Sequence, residues 1–225
     1  MFFYPNGKPL DSVDTFVKLY SNIYFFVNRD LCLENEIERI LRIGIKDKND
    51  IANILRWKTG GKLEGDYVST RYQIINVREI YAVIEKVRDE DKKRDNNVYF
   101  NDLYNKVIRL AGMGSVYART IVYFYSGGKC PIYDKYVDIA LNAIQQSNNK
   151  DFFEIIIRNN DRIIKNPVGN DDFRAFDNAI FDFFGKSRYL EGRDVDRALW
   201  AYGHLFNDSK QNNKRIDCTI SVEKS

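Results

Sequence analysis

A turn with two glycines, Gly112-Met113-Gly114, is the first feature of the chain whose residues could do chemistry. Apolar residues recur at intervals of three and four on both sides of it, which predicts a helix before the turn and another after it. Glycine tolerates a left-handed backbone and the close approach of a ligand, and we expect Met113 to point into the core. Backbone N–H groups at such a turn and at the helix start can bind an anion, for which a DNA phosphate is the natural candidate. The residues expected to contact the phosphate are Gly112, Gly114, Ser115 and Val116.

A carboxylate, Asp134, follows the second glycine by twenty residues. Residues 136–143 after it have the apolar spacing of a helix, and aspartate is favoured at the residue that caps a helix start. One interpretation of Asp134 is therefore a structural cap.

An apolar-x-Gly-apolar-Gly hairpin, followed about twenty residues later by an aspartate, resembles the helix-hairpin-helix superfamily of DNA glycosylases. The resemblance is strongest over residues 103–141, and segments 54–58 and 196–203 are similar to proteins with the 8-oxoguanine glycosylase fold. It implies that Asp134 is catalytic and stabilises the positive charge that develops on the deoxyribose as the base departs. Asp134 would also orient the attacking water. Capping and catalysis are compatible roles.

Two positions depart from the superfamily pattern. Pro131 lies three residues before Asp134, where the superfamily usually has its proline two residues before the aspartate. Val116 occupies the position at which members that also cut the strand carry a Schiff-base lysine. Because valine cannot be a nucleophile, the resemblance implies a monofunctional enzyme that hydrolyses the N-glycosidic bond of a damaged or modified base flipped out of double-stranded DNA. Lys129 and Lys135 are rival amines, although solvated lysines are the simpler interpretation.

Aromatic residues could stack on an extruded base. The candidates for this pocket are Trp57, Tyr133 and Trp200, and the alternative for each ring is a place in the core. His204 is the only histidine of the chain and no nucleophilic serine motif accompanies it, so we interpret it as structural.

Composition sets broad bounds on these hypotheses. A chain of 225 residues with 44% hydrophobic residues can form a sizeable core, and a net charge of +3 means that DNA affinity must come from local arrangement. The widely spaced Cys32, Cys130 and Cys218 have no C-x-x-C spacing, so we predict no metal ion or iron–sulfur cofactor. The odd number of cysteines and an apolar start too short for a targeting segment predict a cytoplasmic protein, associated with the nucleoid when bound to DNA.

Helical periodicity dominates the whole chain and predicts an all-α fold. The predicted helices are 11–28, 33–43, 49–57, 73–88, 101–110, 115–126, 134–146, 151–158, 171–184 and 193–206. The predicted caps are Asp11 or Ser12, Asn49 or Asp50, and Ser115, and the predicted breaks are Gly60-Gly61 and Gly127-Gly128.

No linker divides the chain, so we predict one glycosylase-like unit over residues 1–225, with the hairpin and the catalytic aspartate in segment 101–146. By the resemblance, this unit consists of two closely packed helical lobes, with the helix-hairpin-helix motif in one and a cleft between them for the flipped base. Residues before 58 and after about 150 would form much of the second lobe. Residues 207–225 are predicted to be a flexible tail or a short strand, because 216–222 alternate between apolar and polar.

Other functions stay open at this point. The chain could be a non-catalytic helix-hairpin-helix DNA-binding protein, or a helical protein-interaction domain that uses the hairpin only as a turn. The sequence does not specify the base, and oxidised guanine, alkylated bases and modified bases of phage DNA are alternatives. DNA repair and defence against phage DNA therefore both remain possible roles, and the sequence leaves the oligomeric state open.

Overall fold

The computed structural model of the protein describes residues 2–4, 7–27, 31–91, 99–147, 155 and 173–212. This part of the chain is mostly helical, as the apolar periodicity predicts. Its helices, in chain order, are α1 (Val13–Val27), α2 (Leu31–Ile43), α3 (Lys48–Thr59), α4 (Val77–Asp91), α5 (Tyr99–Val107), α6 (Ser115–Tyr125), α7 (Lys135–Gln146), α8 (Phe173–Phe184), α9 (Lys186–Leu190) and α10 (Asp194–Asn212).

Short strands accompany the helices, in contrast to the all-α prediction. They are β1 (Phe2–Phe3), β2 (Pro9–Leu10), β3 (Lys62–Glu64), β4 (Tyr67–Ser69) and β5 (Ile74–Asn76). β1 pairs with β2, and β3, β4 and β5 form a second antiparallel sheet in that order. The helix predicted from residue 73 begins only at Val77, because residues 74–76 pair with β4. Strands of two or three residues are too short for alternation to reveal them.

Contacts divide the chain into two compact units. The first comprises Met1–Asn28, Asp134–Lys165 and Asn178–Ser225, and the second comprises Arg29–Tyr133 and Asn166–Asp177. Residues 31–57 were expected in a lobe with the C-terminal part of the chain, but they belong to the unit that contains the hairpin. The reason is that α2 and α3 pack against α6, the second helix of the hairpin.

Helix α10 is central to the first unit, since it packs against both α1 and α7. Phe16 and Tyr20 of α1 are buried, and their ring centres lie 5.1 and 4.9 Å from the ring of Tyr202 in α10. The Tyr20 hydroxyl donates a hydrogen bond of 2.6 Å to the Phe3 carbonyl and so joins α1 to β1. Burial raises the pKa of Tyr20, so its hydroxyl stays a neutral donor.

Helix α3 begins at a side-chain cap in the second unit. Asp47 Oδ1 accepts hydrogen bonds from the N–H groups of Asn49 at 2.7 Å and Asp50 at 3.1 Å. The predicted cap, Asn49 or Asp50, was therefore wrong, because Asp50 is buried in the first turn and accepts from the Lys46 N–H at 2.6 Å. The helix ends at Gly60 with a φ of +67°, as the predicted Gly-Gly break requires.

The remaining boundaries agree in part with the prediction. Ser12 caps α1, since its Oγ accepts from the Thr15 N–H at 3.1 Å. Helix α10 continues to Asn212, so residues 207–212 are helical where a tail or strand was expected. Residues 213–225 lie outside the described residues, as does the helix predicted at 151–158 apart from residue 155. Among the described helices, none has the length and apolar character that a membrane crossing requires.

Candidate functional site

The hairpin turn packs against β5 at Gly112. This residue has a φ of +76°, a conformation that residues with a Cβ rarely adopt. A Cβ at Gly112 would lie 2.4 Å from the carbonyl oxygen of Ile74, so a larger residue does not fit. Met113 is buried, as predicted. The fold itself therefore requires Gly112, and β5 fixes the position of the turn.

Gly114 lies in a different environment. Its φ of −101° and ψ of 169° are extended backbone that any residue adopts. A Cβ there would meet no atom of the described chain within 4 Å. Gly114 is the N-cap of α6, and without a side chain it provides no cap hydrogen bond to the first turn. The turn thus presents open space beside a helix start that lacks a side-chain cap.

Ser115 was predicted to cap α6, and this prediction was wrong. Ser115 is the first residue within the helix, because the preceding Gly114 already has the extended backbone of a cap residue. Val116 follows in the first turn and is partly exposed, and its carbonyl accepts a hydrogen bond of 2.9 Å from the Thr120 hydroxyl. Both residues lie at the helix start where the phosphate contact was predicted.

Asp134 caps the amino terminus of α7. Its backbone is extended, with a φ of −139° and a ψ of 142°, and its Oδ1 accepts from the Tyr136 N–H at 2.8 Å. The predicted cap is therefore confirmed. Asp134 as a whole residue is partly exposed.

Two cationic side chains hold the backbone that leads into Asp134. Arg119 Nε of α6 donates to the Pro131 carbonyl at 2.9 Å. Lys58 Nζ of α3 donates to the Tyr133 carbonyl, also at 2.9 Å. Both carbonyls lie within three residues of Asp134 in the sequence and belong, like their donors, to the second unit.

Arg119 is itself held by Asp177 of α8. Its Nη2 lies 2.6 and 2.5 Å from the two carboxylate oxygens, and its guanidinium carbon lies 5.1 Å from the centre of the Phe173 ring. The side chains of Arg119 and Asp177 are 5% and 23% exposed. Burial raises the pKa of Asp177 to about 6, while the positive charge of Arg119 opposes this increase. Burial also raises the pKa of the neighbouring Cys130 thiol.

The sequence analysis missed Arg119 and Asp177, although the sequence contains a signal for each. Arg119 is the only charged residue of α6, and Asp177 stands four residues after Phe173 on the apolar repeat of α8. A charge among apolar residues of a helix indicates a buried partner, because an unpaired buried charge is strongly unfavourable. The pairing itself was not readable, since the two residues are 58 positions apart.

Two of the predicted base-pocket rings belong to the second unit. Tyr133 is 5% exposed, and its ring packs against Phe173 and Phe176 with centres 5.6 and 5.2 Å away. Tyr133 is therefore a core residue, and its ring offers no surface on which a base could stack. Trp57 is partly exposed, and its Nε1 donates to Glu34 Oε2 at 2.9 Å.

The third predicted ring, Trp200, lies close to the helix that Asp134 caps. Its ring centre is 5.8 Å from Tyr136 and 3.9 Å from His204, and the rings of Tyr136 and His204 stack at 3.4 Å. All three side chains are partly exposed, and we call Tyr136, Trp200 and His204 the ring cluster. Tyr136 and His204 were not predicted here. The four-residue spacing of Trp200 and His204, which places them on one face of α10, was the available signal.

A glycine brings α10 close to the start of α7. A Cβ at Gly203 would lie 1.8 Å from the Tyr136 carbonyl oxygen, so only glycine permits this approach. Gly203 thereby keeps the ring cluster beside the residues that follow Asp134.

The two rival lysines, Lys129 and Lys135, are both exposed. Lys135 Nζ lies 4.5 Å from the centre of the Tyr136 ring, a distance at which a cation is attracted to the aromatic face. Lys135 thus contacts the ring cluster.

An open groove of about 470 Å³ lies elsewhere in the first unit. Arg188 and Asp14 form an ion pair of 2.5 Å in its wall. The groove is lined by Asp14, Val17, Lys18, Ser21, Asn22, Phe25, Arg188, Glu191, Gly192, Asp194 and Val195. None of the predicted site residues is among them.

The predicted phosphate contacts, Gly112, Gly114, Ser115 and Val116, belong to the second unit, and Asp134 and the ring cluster belong to the first. In the comparisons with known proteins, no family model, no curated protein and no solved structure matches the chain.

Proposed function

We propose that the protein is a monofunctional DNA glycosylase that hydrolyses the N-glycosidic bond of a damaged or modified base extruded from duplex DNA. The observation that carries the proposal is Asp134, a partly exposed residue whose carboxylate caps α7. It follows by twenty residues a glycine turn whose helix start has no side-chain cap. The helix-hairpin-helix glycosylases have the same order of elements.

The hairpin supplies the proposed DNA contact. The open space at Gly114 allows a phosphate to approach the backbone, and the first N–H groups of α6 can donate to it. Gly112 has the supporting role of seating the turn on β5. Backbone donors make this contact independent of the net charge of the protein, which is only +3.

Asp134 supplies the proposed chemistry. As the bond between the base nitrogen and C1′ breaks, the electron pair leaves with the base and positive charge develops on the sugar, which the carboxylate stabilises. A water oxygen then bonds to C1′, and the proton that the water releases balances the charge on the departing base. Val116 has no amine to form a Schiff base, so the proposed product is an abasic site in an intact strand.

The ring cluster supports a place for the base. An extruded base is held by stacking on aromatic faces, and three partly exposed rings lie next to the residues that follow Asp134. The proposed pocket therefore keeps Trp200 from the sequence analysis and adds Tyr136 and His204.

The test is an assay of base release. Duplexes with oxidised, alkylated or phage-type modified bases are incubated with the protein, and free base is measured by mass spectrometry, with strand cleavage measured before and after alkali. We expect release from at least one duplex, with strand cleavage only after alkali. Release from none of them would overturn the proposal.

The matched variant is Asp134→Asn, which retains a side-chain oxygen for the Tyr136 N–H but removes the charge. We expect DNA binding to persist and base release to fall by about 100-fold or more, the loss typical when an electrostatic stabiliser of the transition state is removed. Equal rates for the variant and the wild type would show that Asp134 is only a helix cap.

A second candidate is a non-catalytic DNA-binding protein, because the helix cap by itself is a sufficient role for the Asp134 carboxylate. In that case DNA binding would depend on the hairpin, and no duplex would lose a base.

A further inference from the structure

The turn between β4 and β5 holds an aromatic side chain out in solvent. Tyr72 is 78% exposed at the tip of this turn, and the guanidinium carbon of Arg71 lies 5.3 Å from the centre of its ring. A tyrosine in this position contributes nothing to the core. Its ring is therefore accessible to a ligand.

The turn itself is well held. The Thr70 N–H donates to the Gln73 carbonyl at 2.8 Å, and the Thr70 hydroxyl donates to the same carbonyl at 3.1 Å. Thr70 Oγ1 also accepts from the N–H groups of Tyr72 at 3.3 Å and Gln73 at 3.0 Å. Four hydrogen bonds thus define a turn whose tip side chains are left in solvent.

The outer face of the sheet continues this surface. Ile74 and Tyr67 are 65% and 48% exposed, while Ile75 and Val68 on the opposite face are buried. Exposed apolar residues that adjoin one another mark interaction sites. Lys62 of β3 pairs with Ser69 of β4, and Glu64 pairs with Tyr67, so one cation and one anion lie on the same face as these residues.

This surface adjoins the hairpin directly. Gly112 lies so close to β5 that a Cβ would be 2.4 Å from the Ile74 carbonyl oxygen. The turn, the sheet and the hairpin belong to the same unit. The proposed phosphate site at Gly114 is two residues along the chain from this contact with β5.

We propose that the β4–β5 turn binds nucleic acid, with Tyr72 stacking on an unpaired base and Arg71 contacting the adjacent phosphate. An exposed ring with an arginine beside it is the combination that binds single-stranded segments, since every base has a face to stack on. The proposal rests on the proposed function only in that the hairpin binds DNA. It does not require base excision.

The test measures the affinity of the full chain for two unmodified DNA probes by fluorescence anisotropy at fixed salt concentration. One probe is a fully paired duplex, and the other is the same duplex with one unpaired base. We expect Tyr72→Ala to weaken binding to the unpaired-base duplex by about tenfold, because stacking accounts for that much of the affinity, and to change binding to the paired duplex by less than about twofold. Tyr72→Trp should restore the affinity.

The matched control is Phe26→Ala, which removes an aromatic side chain that is 88% exposed on α1. Its affinity for both probes should equal that of the wild type. Equal affinity of Tyr72→Ala and the wild type for the unpaired-base duplex would overturn the proposal. If, in addition, the wild type is a dimer and Tyr72→Ala is a monomer, the turn is an interface between two copies of the chain and not a site for nucleic acid. The probes contain no damaged or modified base, so a protein that releases no base in the glycosylase assay can still show the effect of Tyr72→Ala on binding. If the protein releases a base but Tyr72→Ala binds both probes like the wild type, only the proposal for the β4–β5 turn is overturned.

Discussion

The two glycines of the hairpin turn have different roles, although they stand only two positions apart. Gly112 is constrained by its φ of +76° and by the Ile74 carbonyl, whereas Gly114 is constrained by neither. The open space at Gly114 is therefore where we expect the phosphate. Alanine substitutions at the two positions should therefore have different effects: at Gly112 on the stability of the fold, and at Gly114 on DNA binding.

Gly114→Ala should leave stability within about 0.5 kcal/mol of the wild type, because its backbone conformation suits any residue and its Cβ meets no described atom. Gly112→Ala should lower the free energy of unfolding by about 2 kcal/mol or more, because it adds a strained φ and a clash. Urea unfolding measures both values.

The same two variants test the phosphate contact by anisotropy. Gly114→Ala should bind duplex DNA more weakly than the wild type, since its methyl group fills the space that the phosphate needs. Unchanged affinity of this folded variant would place the DNA contact elsewhere.

Burial raises the pKa of the Asp177 carboxyl to about 6. A raised carboxyl pKa means that the folded state binds more protons than the unfolded state between about pH 4 and 6. The contribution of Asp177 to stability should therefore increase as the pH falls from 7 to 4, and decrease as it rises again.

The measurement is the free energy of unfolding of the wild type and of Asp177→Asn over this pH range. The wild type should gain about 2 kcal/mol relative to the variant on going from pH 7 to pH 4, which is most of the amount that a shift of about two pKa units represents. The other carboxyl groups are common to both proteins and cancel in the difference. A difference that does not vary with pH would show that the pKa of Asp177 is close to that of an unfolded chain.

At the scale of elements, the approach of α10 to α7 determines where the ring cluster lies. Gly203→Ala should improve the intrinsic helix propensity of α10 by about 1 kcal/mol. Its Cβ would nevertheless lie 1.8 Å from the Tyr136 carbonyl oxygen, so we expect a net loss of about 2–3 kcal/mol as the helices separate.

Thermal unfolding checks this expectation, with Gly192→Ala as the control because a Cβ there meets no described atom within 4 Å. An increase in the melting temperature of Gly203→Ala would show that α10 can move away from α7 at no cost.

The elements themselves were predictable to different degrees. Long helices such as α1 and α7 repeat their apolar residues several times. The cap of α7, Asp134, was correctly predicted, and the cap of α1, Ser12, was one of the two predicted candidates. The strands of residues 62–76 were missed, because their stability comes from pairing with one another and not from a local pattern. Ser115 was misplaced as a cap because Ser and Gly both occur at that position, and the backbone at Gly114 decides between them.

For the whole molecule, the sequence predicted local features of single residues better than it predicted contacts between residues that are distant along the chain. The helix cap at Asp134 and the tight turn at Gly112 were predicted from local sequence. The contacts of Arg119 with Asp177, and of Trp200 with Tyr136, join residues far apart in the sequence and were not predicted. The division into two units was not predicted for the same reason. Helices α2 and α3 belong to the unit with the hairpin because they contact α6, which is distant from them in the sequence.

The order of the segments in the first unit has a consequence for biosynthesis. Helix α1 packs against α10, so residues 13–27 must wait until residues 194–212 have been translated before they find their partner. The second unit is complete once residue 177 has been synthesised. On a ribosome the hairpin unit can therefore fold early, while Phe16 and Tyr20 of α1 remain exposed to chaperones and to other nascent chains. Contacts of such high sequence separation also slow folding, so closure of the first unit should be the rate-limiting step.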